Sequence, residues 1–307
     1  CGAASAPPPP PWFREVARER GLDWTHVRGP QRYWFPEIMG GGVGLLDFDT
    51  DGALDVYLVQ SGDLAEPGAS PGGRLFRNLG GARFAEAGPE RGARDTGYGM
   101  GCACGDADQD GDTDLFVTRL GPDALWRNDG GSFQDVTASA GVGAPGWGTS
   151  ALWLDVDADG DLDLAVANYV RWARERELVC RSPQGGPDYC SPLNYDAPTR
   201  ATLYRNEGDG HFSDVSEPAG LGAAFGNGLG IVGGDFDDDG RTDLYVANDM
   251  MPNQLWQNRG DGTFVDRALL AGCAVNKDGA PEAGMGTVAV DAEDDGALDL
   301  FVTHLRD

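Results

Sequence analysis

The sequence is short of basic clusters, histidine, cysteine and long apolar runs. With 23 Lys and Arg against 50 Asp and Glu, it carries a formal charge of −27. No Lys/Arg cluster relieves that charge, so nucleic acids and anionic membrane surfaces are poor partners. No run of eighteen apolar residues occurs, so no segment reads as a membrane-spanning helix. The three histidines, His26, His211 and His304, belong to no Ser/His/Asp or Cys/His pattern. The chain therefore offers little to nucleophilic catalysis, which needs a base beside its nucleophile. The six cysteines match neither a zinc-site spacing nor a thioredoxin-type motif.

Glycine, by contrast, is abundant at 48 residues, as expected of a chain with many tight turns. Acid is concentrated in one recurring loop. Its fourth copy places Asp235, Asp237, Asp239 and Asp243 at positions 1, 3, 5 and 9, with Gly240 at position 6. Oxygen ligands at alternate positions can fold round one hard cation, and Gly permits the sharp turn between them. Without a cation the close carboxylates repel, by about 1 kcal/mol per pair even at the dielectric of water.

The loop occurs five times. The first copy has Asp47, Asp49, Asp51 and Asp55, and the second Asp106, Asp108, Asp110 and Asp114. The third has Asp155, Asp157, Asp159 and Asp163; the fifth has Asp291, Glu293, Asp295 and Asp299. Glu293 is longer than the Asp it replaces. Five copies in phase define a repeat protein. The loops hold 24 of the 50 acidic residues, and five Ca²⁺ ions would bring −27 to −17. Much of the acidity is thus metal-site charge.

An EF-hand is excluded. It needs a bidentate Glu at position 12 and flanking helices. Here position 12 is Leu58, Val117, Val166, Val246 or Val302, all apolar, and Val56-Tyr57-Leu58-Val59, Leu115-Phe116-Val117-Thr118 and Leu300-Phe301-Val302-Thr303 are β-branched and aromatic runs of strand length. Each loop reads as a calcium-binding turn between two strands.

A second signature follows the first four loops: Leu75-Phe76-Arg77-Asn78, Leu125-Trp126-Arg127-Asn128, Leu203-Tyr204-Arg205-Asn206 and Leu255-Trp256-Gln257-Asn258. A Gly turn and then Phe84, Phe133, Phe212 or Phe264 complete a hairpin. One unit is therefore four short strands, with the Leu and aromatic of the third strand packed between units. Successive first Asp residues are 59, 49, 80 and 56 apart. This is the spacing of β-propeller blades. The expected fold is all-β, a propeller of four-stranded blades, with about four and a half present.

A Gly stands five residues before the first Asp in four copies (Gly42, Gly101, Gly230, Gly286), and Ser150 stands there in the third. A fixed Gly on an inner strand implies close backbone approach. Phe13-Arg14-Glu15-Val16 matches the later Phe-initiated outer strands and reads as a short strand. Residues 171–200 are an insertion holding Cys180 and Cys190, expected to form a disulfide. The stapled loop, with Tyr189 and Tyr195, either projects as a recognition feature or covers a blade edge. Cys102, Cys104 and Cys273 read as buried small residues. Arg259-Gly260-Asp261 occupies a hairpin turn, like Glu207-Gly208-Asp209.

Residue 1 is Cys, followed by a Pro-rich stretch, Pro7 to Pro11. This looks like a mature bacterial lipoprotein, in which Cys1 carries the lipid. Residues 1–11 then form a semi-rigid tether, with the propeller at 12–307. No Leu-aromatic-Arg-Asn strand follows the fifth loop, so the chain reads as a fragment of a longer propeller.

The Asp-x-Asp-x-Asp-Gly-x-x-Asp loops between hydrophobic strands resemble FG-GAP/VCBS repeats of the integrin α-chain propeller type. Phe13, Gly21-Leu22, His26, Pro36-Glu37 and Gly40-Gly41-Gly42, with the hairpins and Tyr189-Cys190-Ser191-Pro192, resemble bacterial proteins related to cartilage acidic protein. That family carries an ASPIC/UnbV domain after its propeller, a segment this sequence lacks. The resemblance implies seven blades in the whole protein and an extracytoplasmic, calcium-stabilised binding or adhesion role. It brings calcium ligands and no catalytic residue. The expected partner is a protein or glycan at the cell surface, with the membrane reached only through Cys1. Two alternatives are a docking subunit of an exported complex and an enzyme, lyase or hydrolase, with its site in the propeller funnel.

Overall fold

The structure is a computed structural model and describes residues 12–66 and 68–305. Cys1 and Pro7 to Pro11 lie outside the described residues. The first blade is β1 (Val43–Leu46), β2 (Asp55–Leu58), β3 (Arg74–Asn78) and β4 (Phe84–Glu86), paired in that order. The second is β5 (Tyr98–Gly105), β6 (Asp114–Pro122), β7 (Ala124–Asn128) and β8 (Phe133–Asp135). The third begins with β9 (Pro145–Leu154) and β10 (Asp163–Asn168). An inserted hairpin, β11 (Cys180–Arg181) with β12 (Pro187–Asp188), precedes its outer strands β13 (Thr202–Asn206) and β14 (Phe212–Asp214). The fourth is β15 (Gly228–Gly234), β16 (Asp243–Asn248), β17 (Gln254–Asn258) and β18 (Phe264–Asp266). The fifth comprises β19 (Gly284–Val290) and β20 (Asp299–His304). All pairings are antiparallel. The fold is the β-propeller that the repeat spacing implies.

The cores lie between blades. Leu46 and Tyr57 of blade one pack with Leu115 and Phe133 of blade two. Phe116 and Leu125 meet Leu164 and Tyr204 of blade three. Leu203 meets Leu244 and Trp256 of blade four. Alternation along each strand supplies one layer to each neighbour, so no blade buries its apolar residues alone.

The inner-strand glycines bring the blades together. A Cβ on Gly42 would lie 2.8 Å from the Gly101 Cα, and one on Gly101 2.4 Å from the Thr149 carbonyl oxygen. Ser150 stands at that place in the third copy, and its hydroxyl donates to the Leu229 carbonyl at 2.5 Å. Blades two and three are joined further by β6–β9 pairing, Leu120 with Trp147 and Pro122 with Pro145.

One expectation changes. Residues 13–16 form no strand, and Phe13 is 87% exposed. The segment turns instead at Gly21 against blade one, where a Cβ would lie 2.0 Å from the Phe84 carbonyl oxygen. The insertion is anchored at one end while its β11–β12 hairpin is largely exposed. Its Tyr195 stacks on Phe35 with ring centroids 4.8 Å apart, and Phe35 also contacts Trp147 and Tyr169. Phe35 and the insertion thus pack together on Trp147 and Tyr169 of blade three.

The Cys180–Cys190 disulfide is present, with Cα atoms 5.3 Å apart. Cys102 and Cys104 are free and half-buried, and both face Gly44 of the preceding blade. Cys273 is also free and half-buried. Arg259-Gly260-Asp261 forms the β17–β18 turn, with Gly260 at φ +74°.

Candidate metal centres

The loops join the first two strands of each blade and so lie together on one face. Each closes by the same local chemistry. The position 1 carboxylate accepts from the backbone N–H groups of positions 5 and 6. For Asp47 the donors are Asp51 N at 3.0 Å and Gly52 N at 2.8 Å. Asp106, Asp235 and Asp291 repeat the pattern, and Asp155 accepts from Gly160 N. These bonds hold the Asp235 and Asp291 carboxyls below their ordinary range. Position 5 accepts from position 7 N–H, as Asp110 does from Asp112 at 2.9 Å.

Position 9 has a second task. Asp55, Asp114, Asp163 and Asp243 are buried, and both carboxylate oxygens take backbone donors. Asp114 accepts from Asn128 N and from Ala107 N, each at 2.8 Å. It ties the loop start to the third strand. Burial pushes Asp114 up to about 7 and Asp163 up to about 6.

Carboxylates converge in four of the loops. Asp47, Asp49 and Asp55 each place an oxygen within 4.8 Å of the others, as do Asp106, Asp108 and Asp114. So do Asp155, Asp157 and Asp163, and Asp235, Asp237 and Asp239. Two oxygens bound to one Ca²⁺ are at most about 5 Å apart, so each triplet fits a single ion. Asp51, Asp110, Asp159 and Asp243 stand outside their triplets. Asp51 is drawn to Arg77, whose Nη2 donates to it at 2.9 Å. Asp291, Glu293, Asp295 and Asp299 form no such group among the described residues.

A second observation supports the fit. Asp49 Oδ1, Asp108 Oδ1 and Asp155 Oδ1 are buried with no hydrogen-bond donor. Each belongs to one of the triplets. A buried carboxylate oxygen without a donor is costly, and a cation would satisfy it.

The sequence reading missed the Asn that ends the third strand. Asn128 Nδ2 donates to the Thr113 carbonyl of its own loop at 3.2 Å and to the Phe48 carbonyl of the preceding loop at 2.9 Å. Asn206 reaches Leu162 and Ala107 likewise, and Asn258 reaches Thr242 and Val156. Each Asn joins two successive loops. The signal was its fixed place in the Leu-aromatic-Arg-Asn signature, read there only as hairpin.

Loops of this kind between the strands of successive blades define an all-β repeat protein of the propeller class. A family model described as FG-GAP-like repeat matches residues 47–117, 106–166, 185–246 and 235–302, and the chain belongs to that family. Cartilage acidic protein 1 of Homo sapiens is 36% identical over 87 residues, 28% of this chain and 12% of that protein. Its Xenopus tropicalis counterpart is 36% identical over 88 residues, 29% of this chain and 13% of that one. The chain thus spans a small part of the length of the curated relatives it matches. A lectin of Agrocybe aegerita, described as recognising non-reducing terminal N-acetylglucosamine, aligns over 85% of this chain and 59% of its own. Identity is 19% and the TM-score 0.47. The V. cholerae biofilm matrix protein Bap1 aligns over 85% and 34%, with 14% identity and a TM-score of 0.41. Bacillus licheniformis rhamnogalacturonan lyase PL11 aligns over 86% and 55%, with 12% identity and a TM-score of 0.41.

Proposed function

We infer that the chain is a calcium-stabilised, non-enzymatic binding scaffold that works outside the cytoplasm. Its partner is a protein or glycan at a cell surface. The observation that carries this reading is the set of carboxylate triplets with buried, donorless oxygens at Asp49, Asp108 and Asp155. Oxygen-only donor sets suit Ca²⁺, with the side chains at positions 1, 3, 5 and 9 as ligands and a carbonyl at position 7. The fifth loop is a further Ca²⁺ site on the same reading. The Cys180–Cys190 bond supports an oxidising compartment. A lipid on Cys1 would hold the propeller near a membrane.

The ion's role is structural. At 1 mM Ca²⁺ a site with Kd near 10 μM adds about 2.7 kcal/mol to stability. Several such sites decide whether the blades stay together. Decalcified protein titrated with Ca²⁺ in a calorimeter should bind several ions and melt at a much higher temperature. An identical melt in EDTA and in Ca²⁺ would sink the reading.

An enzymatic reading has less support. His26 Nε2 lies 2.9 Å from Ser61 Oγ, but that hydroxyl donates to the Gly99 carbonyl at 2.9 Å. The serine proton points away from the imidazole, and burial lowers the pKa of His26. The docking-subunit alternative shares the scaffold's chemistry, and a partner pull-down from the source cell envelope separates the two.

A further inference from the structure

A cleft of about 1040 Å³ opens at the ends of the strands opposite the carboxylate loops. Its floor lies where blades two and three share a sheet, at Leu120, Gly146 and Trp147. One wall is the β2–β3 connection, which carries Asp63 and Glu66. The other is residues 171–175 of the insertion.

Both walls are held in place. Arg32 donates to Asp63 through Nη1 at 2.6 Å and Nη2 at 2.9 Å, clamping the N-terminal segment to the first wall. Glu177 fixes the second. Its carboxylate accepts from Tyr195 Oη at 2.8 Å, from Phe35 N at 3.3 Å and from Trp172 Nε1. The disulfide closes the same insertion. A cleft ordered in advance loses less entropy when it binds.

Its chemistry is uneven. Trp172 and Phe225 line it with aromatic surface, and Phe225 is 54% exposed. Glu66, Glu175 and Arg171 are exposed, and their side chains make no hydrogen bond or ion pair among the described residues. Trp147 Nε1 is a buried donor without an acceptor. The site therefore offers apolar faces, two carboxylate acceptors and the guanidinium donors of Arg171 and Arg174, while the Trp147 indole N–H lies beyond its reach.

Three ligand classes can be compared with that set. A peptide that adds as a strand needs a free sheet edge. The edges at the floor are taken by the pairing of Leu120 with Trp147, Gly121 with Gly146 and Pro122 with Pro145. An acidic polymer meets a chain of net charge −27, and in the cleft lining the exposed Glu66 and Glu175 offset Arg171 and Arg174. A neutral sugar meets no such penalty. Its apolar ring face packs on aromatic surface, its hydroxyls donate to carboxylates, and its oxygens accept from guanidinium N–H.

We propose that this cleft binds a neutral oligosaccharide between Glu66 on one wall and Arg171 and Glu175 on the other. The proposal rests on the scaffold reading above and adds a site and a ligand class to it.

The test applies the full chain, in Ca²⁺, to an array of neutral and uronic- or sialic-acid-containing oligosaccharides. The best neutral binder is then titrated against wild type, Arg171→Ala and Glu175→Gln. Each variant changes an exposed side chain, so its melt should match wild type while affinity falls about tenfold. Binding that is unchanged in both variants, or confined to acidic glycans, overturns the proposal. So does an empty array. The melt in Ca²⁺ and EDTA is measured on the same sample. A preserved calcium shift with an empty array removes only the cleft's ligand. A missing shift removes the scaffold reading itself.

Discussion

Arg77 Nε lies 2.6 Å from Asp49 Oδ2, and its Nη2 lies 2.9 Å from Asp51 Oδ2. The third strand of blade one thus places a fixed cation against the loop read as a Ca²⁺ site. In blade four the same position is Gln257, a neutral group that donates to Asp237. Arg127 stands between these cases, 3.9 Å from Asp108 and closer to Asp129. The first loop should therefore be weakened at Asp49 and Asp51 by the Arg77 competitor, while in the fourth the competing cation is Arg241 at Asp239. Arg77 is half-exposed, so solvent screens the pair and keeps its contribution small. Arg77→Gln should raise Ca²⁺ affinity at the first loop by up to about fivefold. Gln257→Arg should lower it at the fourth. Site-resolved titration, with the other loops disabled by Asp→Asn changes, checks both, and equal affinities in all variants would refute this competition.

Asn128 predicts a stability effect that is independent of metal. It is fully buried and serves the Thr113 and Phe48 carbonyls, while its Oδ1 accepts from Gly131 N at 2.9 Å. Asn128→Ala leaves these groups without partners and should cost about 2–4 kcal/mol. The side-chain amide of Asn78 in blade one donates only to the Leu54 carbonyl among the described residues, near solvent. Asn78→Ala should cost about 1 kcal/mol or less. Urea unfolding in saturating Ca²⁺ separates the two; equal losses would show that the bridge between loops contributes nothing.

The propeller was legible in the sequence because its determinants are local. Five loops with the same carboxylate spacing, each followed by an apolar run of strand length, fix strand, turn and strand without reference to the rest of the chain. The inner-strand Gly was legible for a similar reason, since its position relative to Asp is constant. Contacts between distant residues were not legible. Asn206 reaching the Ala107 carbonyl depends on how two blades stack, and nothing near Asn206 names its acceptor. Phe13 to Val16 misled because a strand-like tetrapeptide takes its state from the partner it finds. The insertion's place over Phe35 is likewise set by Glu177, whose three donors come from two separate segments.

Two glycines should respond very differently to the same methyl group. Gly101 lies where blades meet, and a Cβ there would lie 2.4 Å from the Thr149 carbonyl oxygen. Gly52 sits at position 6 of the first loop with φ +85° and open space around it. Gly52→Ala meets only backbone strain, about 1–2 kcal/mol. Gly101→Ala must move one inner strand off the next and should cost about 3 kcal/mol or more, or prevent folding. Comparing melting temperatures of the two variants in saturating Ca²⁺ tests whether close blade approach limits the fold.

Asp123 provides a pH dependence separate from the metal loops. It is 5% exposed, and its Oδ1 accepts from Arg119 N at 2.8 Å. Burial raises its carboxyl from 3.8 to about 7, with nearby Asp95 adding to the effect and Arg119 opposing it. Between those values the folded chain keeps a proton that the unfolded chain has released. Stability from this group therefore falls as pH rises from about 4 to about 7. The full difference is on the order of 4 kcal/mol. Asn at this position keeps the acceptor for Arg119 N–H and removes the charge. Asp123→Asn should thus gain on wild type steadily as pH rises through that window. The carboxylates of the loops titrate in both proteins, so their contribution cancels in the difference. A wild-type-minus-variant stability that stays flat from pH 4 to 7 would mean that Asp123 is ionised in the folded protein throughout. Burial at the blade two–three junction would then carry no electrostatic cost.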